Sequence, residues 1–203
     1  MHRMPMHHPP TLAPPLAVSQ WFNCSSPIGL DDLRGQVVVI EAFQMLCPGC
    51  VSHGLPQAQR VARTFGPDVT VLGLHTVFEH HDAMRPVSLE AFLHEYRIHF
   101  PVGVDAHDGA APMPVTMRRY HLRGTPSLVV IDRSGRIRVN AFGQVDDLVV
   151  GATIARLIDE VPLDETRTEP DHTDHTDHTD HTDHTDHCDP GHGCRITTEE
   201  ISA

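Results

Sequence analysis

The sequence predicts an α/β domain, a mixed central sheet with helices on both faces. Three short apolar runs rich in β-branched residues, at 37–40, 69–74 and 127–131, are each bounded by Gly, Pro, Asp or Arg, as strands are. They hardly alternate with polar residues, which is the pattern of strands buried on both faces. Between and after them lie segments whose apolar residues recur at helical spacing, and that alternation supports a sheet covered by helices.

Taken in order, the first run leads to Pro48. From 48 to 65, Val51, Leu55, Ala58, Val61, Ala62 and Phe65 recur at helical spacing until Gly66-Pro67 stops the helix. Pro56 falls inside this pattern and should kink it, because proline brings no backbone N–H. After the second run a helix is expected over 88–97, with Ser88 as its N-cap and Leu89, Phe92, Leu93 and Tyr96 on one face. A short helix is expected over 115–121. Asp132-Arg133-Ser134-Gly135-Arg136 reads as a hairpin turn from the third run into a strand at 137–142. Leu148, Val149, Ala152, Ile154, Ala155 and Ile158 then mark a last helix over 146–160, stopped by Pro162. The order is β-α-β-(α)-β-α-β-β-α.

Charge shows how the chain divides. Of its 27 acidic and 15 basic residues, 12 acidic and 2 basic lie from Asp164 onward, so the tail carries −10 of the net −12. The expected organisation is a disordered stretch at 1–11, one domain over 12–163, and a disordered, acidic, His-rich tail over 164–203. The body has no basic stripe for phosphates, so no nucleic-acid partner is expected. No apolar run reaches the roughly 18 residues of a membrane span. The N-terminus, with His2, Arg3, His7, His8 and many prolines, lacks the apolar stretch of about 7–15 residues found in a secretory signal. A cytoplasmic monomer is the expectation. Five cysteines (Cys24, Cys47, Cys50, Cys188 and Cys194) are an odd number, and a reducing compartment disfavours structural bridges.

Cys47-Pro48-Gly49-Cys50 follows a buried strand and opens a helix. A thiol at that place faces the positive end of the helix dipole and unpaired backbone N–H groups, which stabilise a thiolate. Cys47 is therefore the expected attacking sulfur. Cys50, one turn further in, is the expected resolving thiol. The competing readings are two inert cysteines or half of a zinc site, which needs two more ligands, and the body holds no second such pair.

With those residues in view, the sequence resembles the thioredoxin-like superfamily, on the TlpA/ResA-like and redoxin side, over about 12–160. The segments that carry the resemblance are Gly35 to Phe43 before the cysteine pair, Tyr120-His121-Leu122-Arg123-Gly124-Thr125-Pro126-Ser127, and Ile131 to Ile137. It implies a thioredoxin fold with an N-terminal hairpin around 16–30 and a helical insertion matching 76–99. It implies that Thr125-Pro126 is the cis-proline loop facing the cysteines, where an extended substrate pairs with backbone. Leu46 and Pro48 join Thr125 and Pro126 as the expected substrate-binding residues. Glu41, mid-strand in an apolar run, stands where thioredoxins bury an acid beneath the active site. Burial raises a carboxyl pKa, which suits Glu41 to exchange a proton with Cys50 near neutral pH.

The resemblance implies a thiol–disulfide oxidoreductase acting on disulfide-containing proteins or small thiols, with no cofactor for the redox step. Leu46 stands in place of the usual tryptophan, and His53 where the membrane-anchored branch has a glutamate. A peroxiredoxin-like peroxidase is a further reading, but it needs Thr or Ser three residues before its cysteine and a proline where Ile40 stands; here Gln44 occupies the first position. Cys24 reads as an unpaired surface thiol. His75, His80 and His81 read as solvated loop histidines, with a metal cluster the alternative. Trp21 and Phe22 read as core of the hairpin. In the tail, Asp-His-Thr repeats over 171–187, followed by Cys188, His192 and Cys194. Imidazoles and thiolates in such density suit Zn, Ni or Cu, with His187, Cys188, His192 and Cys194 the expected tight site. A metal-binding protein whose tail rides on a thioredoxin-like scaffold is thus the alternative function.

Overall fold

The computed structural model describes residues 11–160. The elements run β1 (Val18–Phe22), β2 (Val37–Phe43), α1 (Leu55–Phe65), β3 (Val69–His75), α2 (Pro86–Glu95), β4 (Val102–Asp105), α3 (Val115–Arg119), β5 (Ser127–Ile131), β6 (Ile137–Phe142) and α4 (Asp147–Asp159). The chain divides into two units, Met1–Glu165 and Thr166–Ala203, and every described residue belongs to the first. The expectations placed on 1–10 and on the tail, among them the ligand set His187, Cys188, His192 and Cys194, lie outside the described residues.

The strands form one sheet in the order β1-β4-β3-β2-β5-β6. β2 sits at its centre, parallel to β3 and antiparallel to β5, and all seven of its residues are buried. That explains the unalternated sequence: Val37, Val39 and Phe43 face one layer, with α1, α2 and α4, while Val38, Ile40 and Ala42 face the other, with α3. Each Val, Ile or Phe removed from water contributes about 1.5–3 kcal/mol, so the strand that carries the cysteine pair at its end is firmly held in the sheet.

The expected hairpin at 16–30 is absent. This segment supplies a single strand, β1, whose partner is the distant β4, in antiparallel register. The reason lies in packing: β1 places Trp21 against one core layer and Phe22 against the other, both half-buried. Gly103 of β4 leaves the room, since a Cβ there would come within 2.8 Å of Val18 and 3.3 Å of Trp21. β4 fills the strand position between α2 and α3 in the expected order.

Two helix ends also differ from expectation. Ser88 does not cap α2; Arg85 is the N-cap and Pro86 opens the helix, a position where the missing N–H of proline costs nothing. The kink expected at Pro56 takes the form of a π-helical turn, Cys50–Gly54, directly before α1, leaving Pro56 in the first turn of α1. The wider turn accommodates the bond that proline cannot donate. The other ends agree with the sequence. Gly66 ends α1 with a positive φ of 53°, and the Asp146 carboxylate caps α4 by accepting from the amides of Leu148 and Val149 at 2.8 and 3.4 Å. Buried Asp105, at the end of β4, accepts from the amides of Thr116 and Met117 and from the Thr76 hydroxyl, and so ties α3 to the sheet.

Candidate functional site

The cysteine pair stands where β2 leaves the sheet. Cys47 N–H donates to Gln44 O at 3.1 Å and Val51 N–H to Cys47 O at 3.1 Å, so a tight turn feeds directly into a helix. Helical backbone begins at Pro48. The Cys50 amide donates to Cys47 Sγ at 3.3 Å, which brings a helix N-terminal N–H to the sulfur, as the sequence pattern predicts. Cys47 is half-buried and Cys50 fully buried, and Cys24, Cys47 and Cys50 are all unbridged. Burial, reinforced by the hydrogen bond with Cys47, pushes the Cys50 thiol up to about 12. The two sulfurs therefore differ in access and in environment.

Thr125 and Pro126 lie across the pair. Their peptide bond is cis, and Cys47 Sγ lies 3.4 Å from Thr125 O. A Cβ on Gly49 would come within 3.2 Å of Pro126 Cδ, so the proline ring rests directly on the CPGC turn. Leu46, 58% exposed, and Pro48, also exposed, flank Cys47 in the chain. The residues expected to meet substrate thus surround one accessible sulfur.

Glu41 is buried to 2% exposure, and its Oε1 has no hydrogen-bond partner among the described residues. Burial, with a smaller push from Cys47, holds its carboxyl well above the usual carboxylate range. A Cβ on Gly54 would come within 2.0 Å of Glu41 Oε1 and 3.1 Å of Pro126 Cβ. Gly54 is therefore the one helical residue slim enough to stand between the acid and the proline loop. Sequence reading gave it no role, although a glycine within a predicted helix is a visible signal of close approach.

Three further residues complete the surroundings. Gln44 is buried, and its side-chain oxygen accepts from the Phe78 amide at 3.3 Å, so the position that a peroxidase reading would fill with a hydroxyl braces the loop after β3. Phe142 packs against Gly124, where a Cβ would meet it at 2.8 Å, and the Arg123 guanidinium lies 5.5 Å above its ring. His75 corrects the sequence reading: it is no solvated loop residue but the last residue of β3, fully buried, its ring tilted against Phe43 at 5.3 Å and both ring nitrogens unpartnered. His80 and His81 are exposed as expected. No group of three or more His, Cys, Asp or Glu side chains among the described residues is arranged to hold a metal. No helix among them is long and apolar enough to cross a membrane.

A mixed sheet of this order with an unequal cysteine pair at the end of its central strand defines a thioredoxin-like thiol–disulfide oxidoreductase. The chain belongs to the AhpC/TSA family, whose model matches residues 13–140. Among solved structures it is similar to a thioredoxin-like superfamily protein, 60% identical with a TM-score of 0.72 over 74% of this chain and 97% of the other. It is also similar to a thiol-disulfide isomerase from Corynebacterium glutamicum, 51% identical with a TM-score of 0.70 over 73% of this chain and 98% of that one. Among curated proteins it is 26% identical, over 77% of its length, to Protein DipZ of Mycobacterium bovis and of Mycobacterium tuberculosis, and it spans 23% of the length of those relatives.

Proposed function

We propose that this chain reduces disulfides or exchanges them, with disulfide-containing proteins or small thiols as its partners, through Cys47 and Cys50. The observation that carries the reading is the asymmetry of the pair: a half-exposed Cys47 sulfur receiving the Cys50 amide at 3.3 Å, over a fully buried Cys50 thiol. In the reducing direction the Cys47 thiolate attacks one sulfur of the substrate disulfide, forming a mixed disulfide and releasing the first substrate thiolate, which takes a proton from water. Cys50 then gives its proton to Glu41, and its thiolate attacks Cys47 Sγ. The Cys47–Cys50 disulfide forms and the second substrate thiolate leaves. Two electrons pass from the dithiol to the substrate, and no cofactor enters the balance. Leu46, Pro48, Thr125 and Pro126 hold the substrate chain beside Cys47. The 51% identity to a thiol-disulfide isomerase supports this choice of reaction.

The test is a trap. Reduced Cys50→Ser is expected to accumulate a mixed disulfide between Cys47 and native, disulfide-bonded insulin, visible by mass and released by dithiothreitol; an adduct absent from Cys50→Ser, or present in Cys47→Ser at another cysteine only, would overturn the assignment. Glu41→Gln is expected to leave formation of the mixed disulfide unchanged and to slow its resolution near pH 7 by about 10²-fold, the lower range for a lost general acid or base. Stopped-flow measurement of the two phases separates them. Equal effects on both would remove Glu41 from the proton step.

A further inference from the structure

In the reaction proposed above, a substrate disulfide reaches Cys47 across a rim without charge. Leu46, Pro48, Gly49, Thr125 and Pro126 have no ionisable side chain, and Glu41 lies buried beneath them. One cation at the edge of such a rim therefore sets the field that a chain lying on it meets. Arg123 is that cation. It stands two residues before Thr125, at most about 7 Å of backbone, and its guanidinium lies 5.5 Å from the centre of the Phe142 ring. Cation and ring attract within about 6 Å.

The short loop that joins Arg123 to the proline is held at several points. The Ser127 hydroxyl donates to Gly124 O at 2.8 Å. The Gly143 amide, next to Phe142, donates to Pro126 O at 2.8 Å, so the end of β6 and the proline loop move as one. Gly124 admits the ring, since a Cβ there would meet Phe142 Cε2 at 2.8 Å. Phe142 is nevertheless 51% exposed, which leaves a face for the guanidinium. That guanidinium is uncommitted. Arg34, Arg60, Arg85, Arg118 and Arg138 are each ion-paired to a carboxylate, whereas Arg123 is exposed and has no hydrogen bond or ion pair among the described residues. Its fork of N–H donors matches a carboxylate. Because the ring already restrains the side chain, less rotamer freedom is lost when a carboxylate binds.

We propose that Arg123, held over Phe142, is a specificity residue that favours substrate polypeptides with Asp or Glu near the cysteine whose disulfide Cys47 attacks. The inference rests on the redox reading above and narrows its substrate class. An extended chain advances about 3.3 Å per residue, so a side chain roughly two or three residues from a cysteine seated at Cys47 comes within reach of the guanidinium. A Lys or Arg at the same place meets a like charge. The disulfide of a small uncharged thiol has no side chain to place there and gains nothing from Arg123.

The experiment uses a short synthetic peptide with one cysteine, oxidised to its disulfide dimer, in which Glu, Gln or Lys is placed in turn at each position near that cysteine. The rate at which each dimer oxidises the pre-reduced full chain is read by alkylation and mass, for the native protein, Arg123→Gln and Arg123→Glu. At low ionic strength the native chain is expected to react on the order of fivefold faster with Glu than with Lys at one or two of the positions. High salt should shrink that ratio, because exposed charges are screened. Arg123→Gln should bring it close to one, and Arg123→Glu should invert it. Each ratio is taken within one protein, so any change in folding or in the reactivity of Cys47 cancels. A native ratio close to one at every position, or a ratio that survives in Arg123→Gln, would overturn the inference while leaving the redox reading intact. A native chain that reacts with none of the dimers, the Gln ones included, would sink the redox reading and this inference together.

Discussion

Cys47→Ser is expected to lower disulfide-exchange turnover by at least about 10³-fold, because a serine hydroxyl supplies no thiolate to attack a disulfide sulfur. Cys47 packs half-buried against the core and serine is close to it in size, so stability should change by no more than about 1 kcal/mol. Insulin-disulfide reduction followed by turbidity gives the first quantity, and urea unfolding of the same preparations gives the second. The two together matter. A loss of turnover accompanied by a large loss of stability would trace to damage in the turn that joins β2 to the helix, and turnover near that of the native chain would remove Cys47 as nucleophile. Cys50→Ser makes the contrast, since it retains the attacking sulfur and loses only the thiol that resolves the adduct.

That contrast was legible in the sequence because it depends on local order: an apolar strand, a tight CPGC turn and a helical pattern starting at Pro48. Glu41 was legible for a similar reason, as a charged residue in a run whose neighbours are apolar on both sides. What escaped was settled by contacts between distant segments. β1 finds its partner in β4, more than seventy residues on, and the glycine that admits it, Gly103, carries no local sign of Val18 and Trp21 packing on it. Gly54 lies within a helical pattern, and only the fold brings Glu41 against it. The capping error at Ser88 has a local cause: serine is a good N-cap, but a proline two residues earlier had already opened the helix. His75 was misplaced because the apolar run ends at Leu74, although the strand continues one residue further, in parallel register with Phe43.

The burial of His75 has a measurable consequence in acid. Its ring has no polar partner and packs on Phe43, so the folded chain can hold it only neutral, and burial takes its pKa from the ordinary 6.5 down to about 4. The folded pKa lies below the unfolded one. Stability from this residue is therefore fully present above pH 6.5, where neither state is protonated, and is lost as pH falls toward 4, because the unfolded chain takes up the proton first. Between pH 7 and pH 5 the loss comes to about 2 kcal/mol. Glu41 and Asp105 act with the opposite sign, since burial raises both carboxyls and the folded state gains protons ahead of the unfolded one. The His75 contribution is thus isolated by difference. Urea unfolding of the native chain and of His75→Leu at pH 7 and pH 5 should show the native chain losing about 2 kcal/mol more than the variant over that interval. An equal loss in the two proteins would mean that the folded chain accommodates a protonated His75, and the unpartnered, desolvated ring at the end of β3 would then be the wrong description of that site.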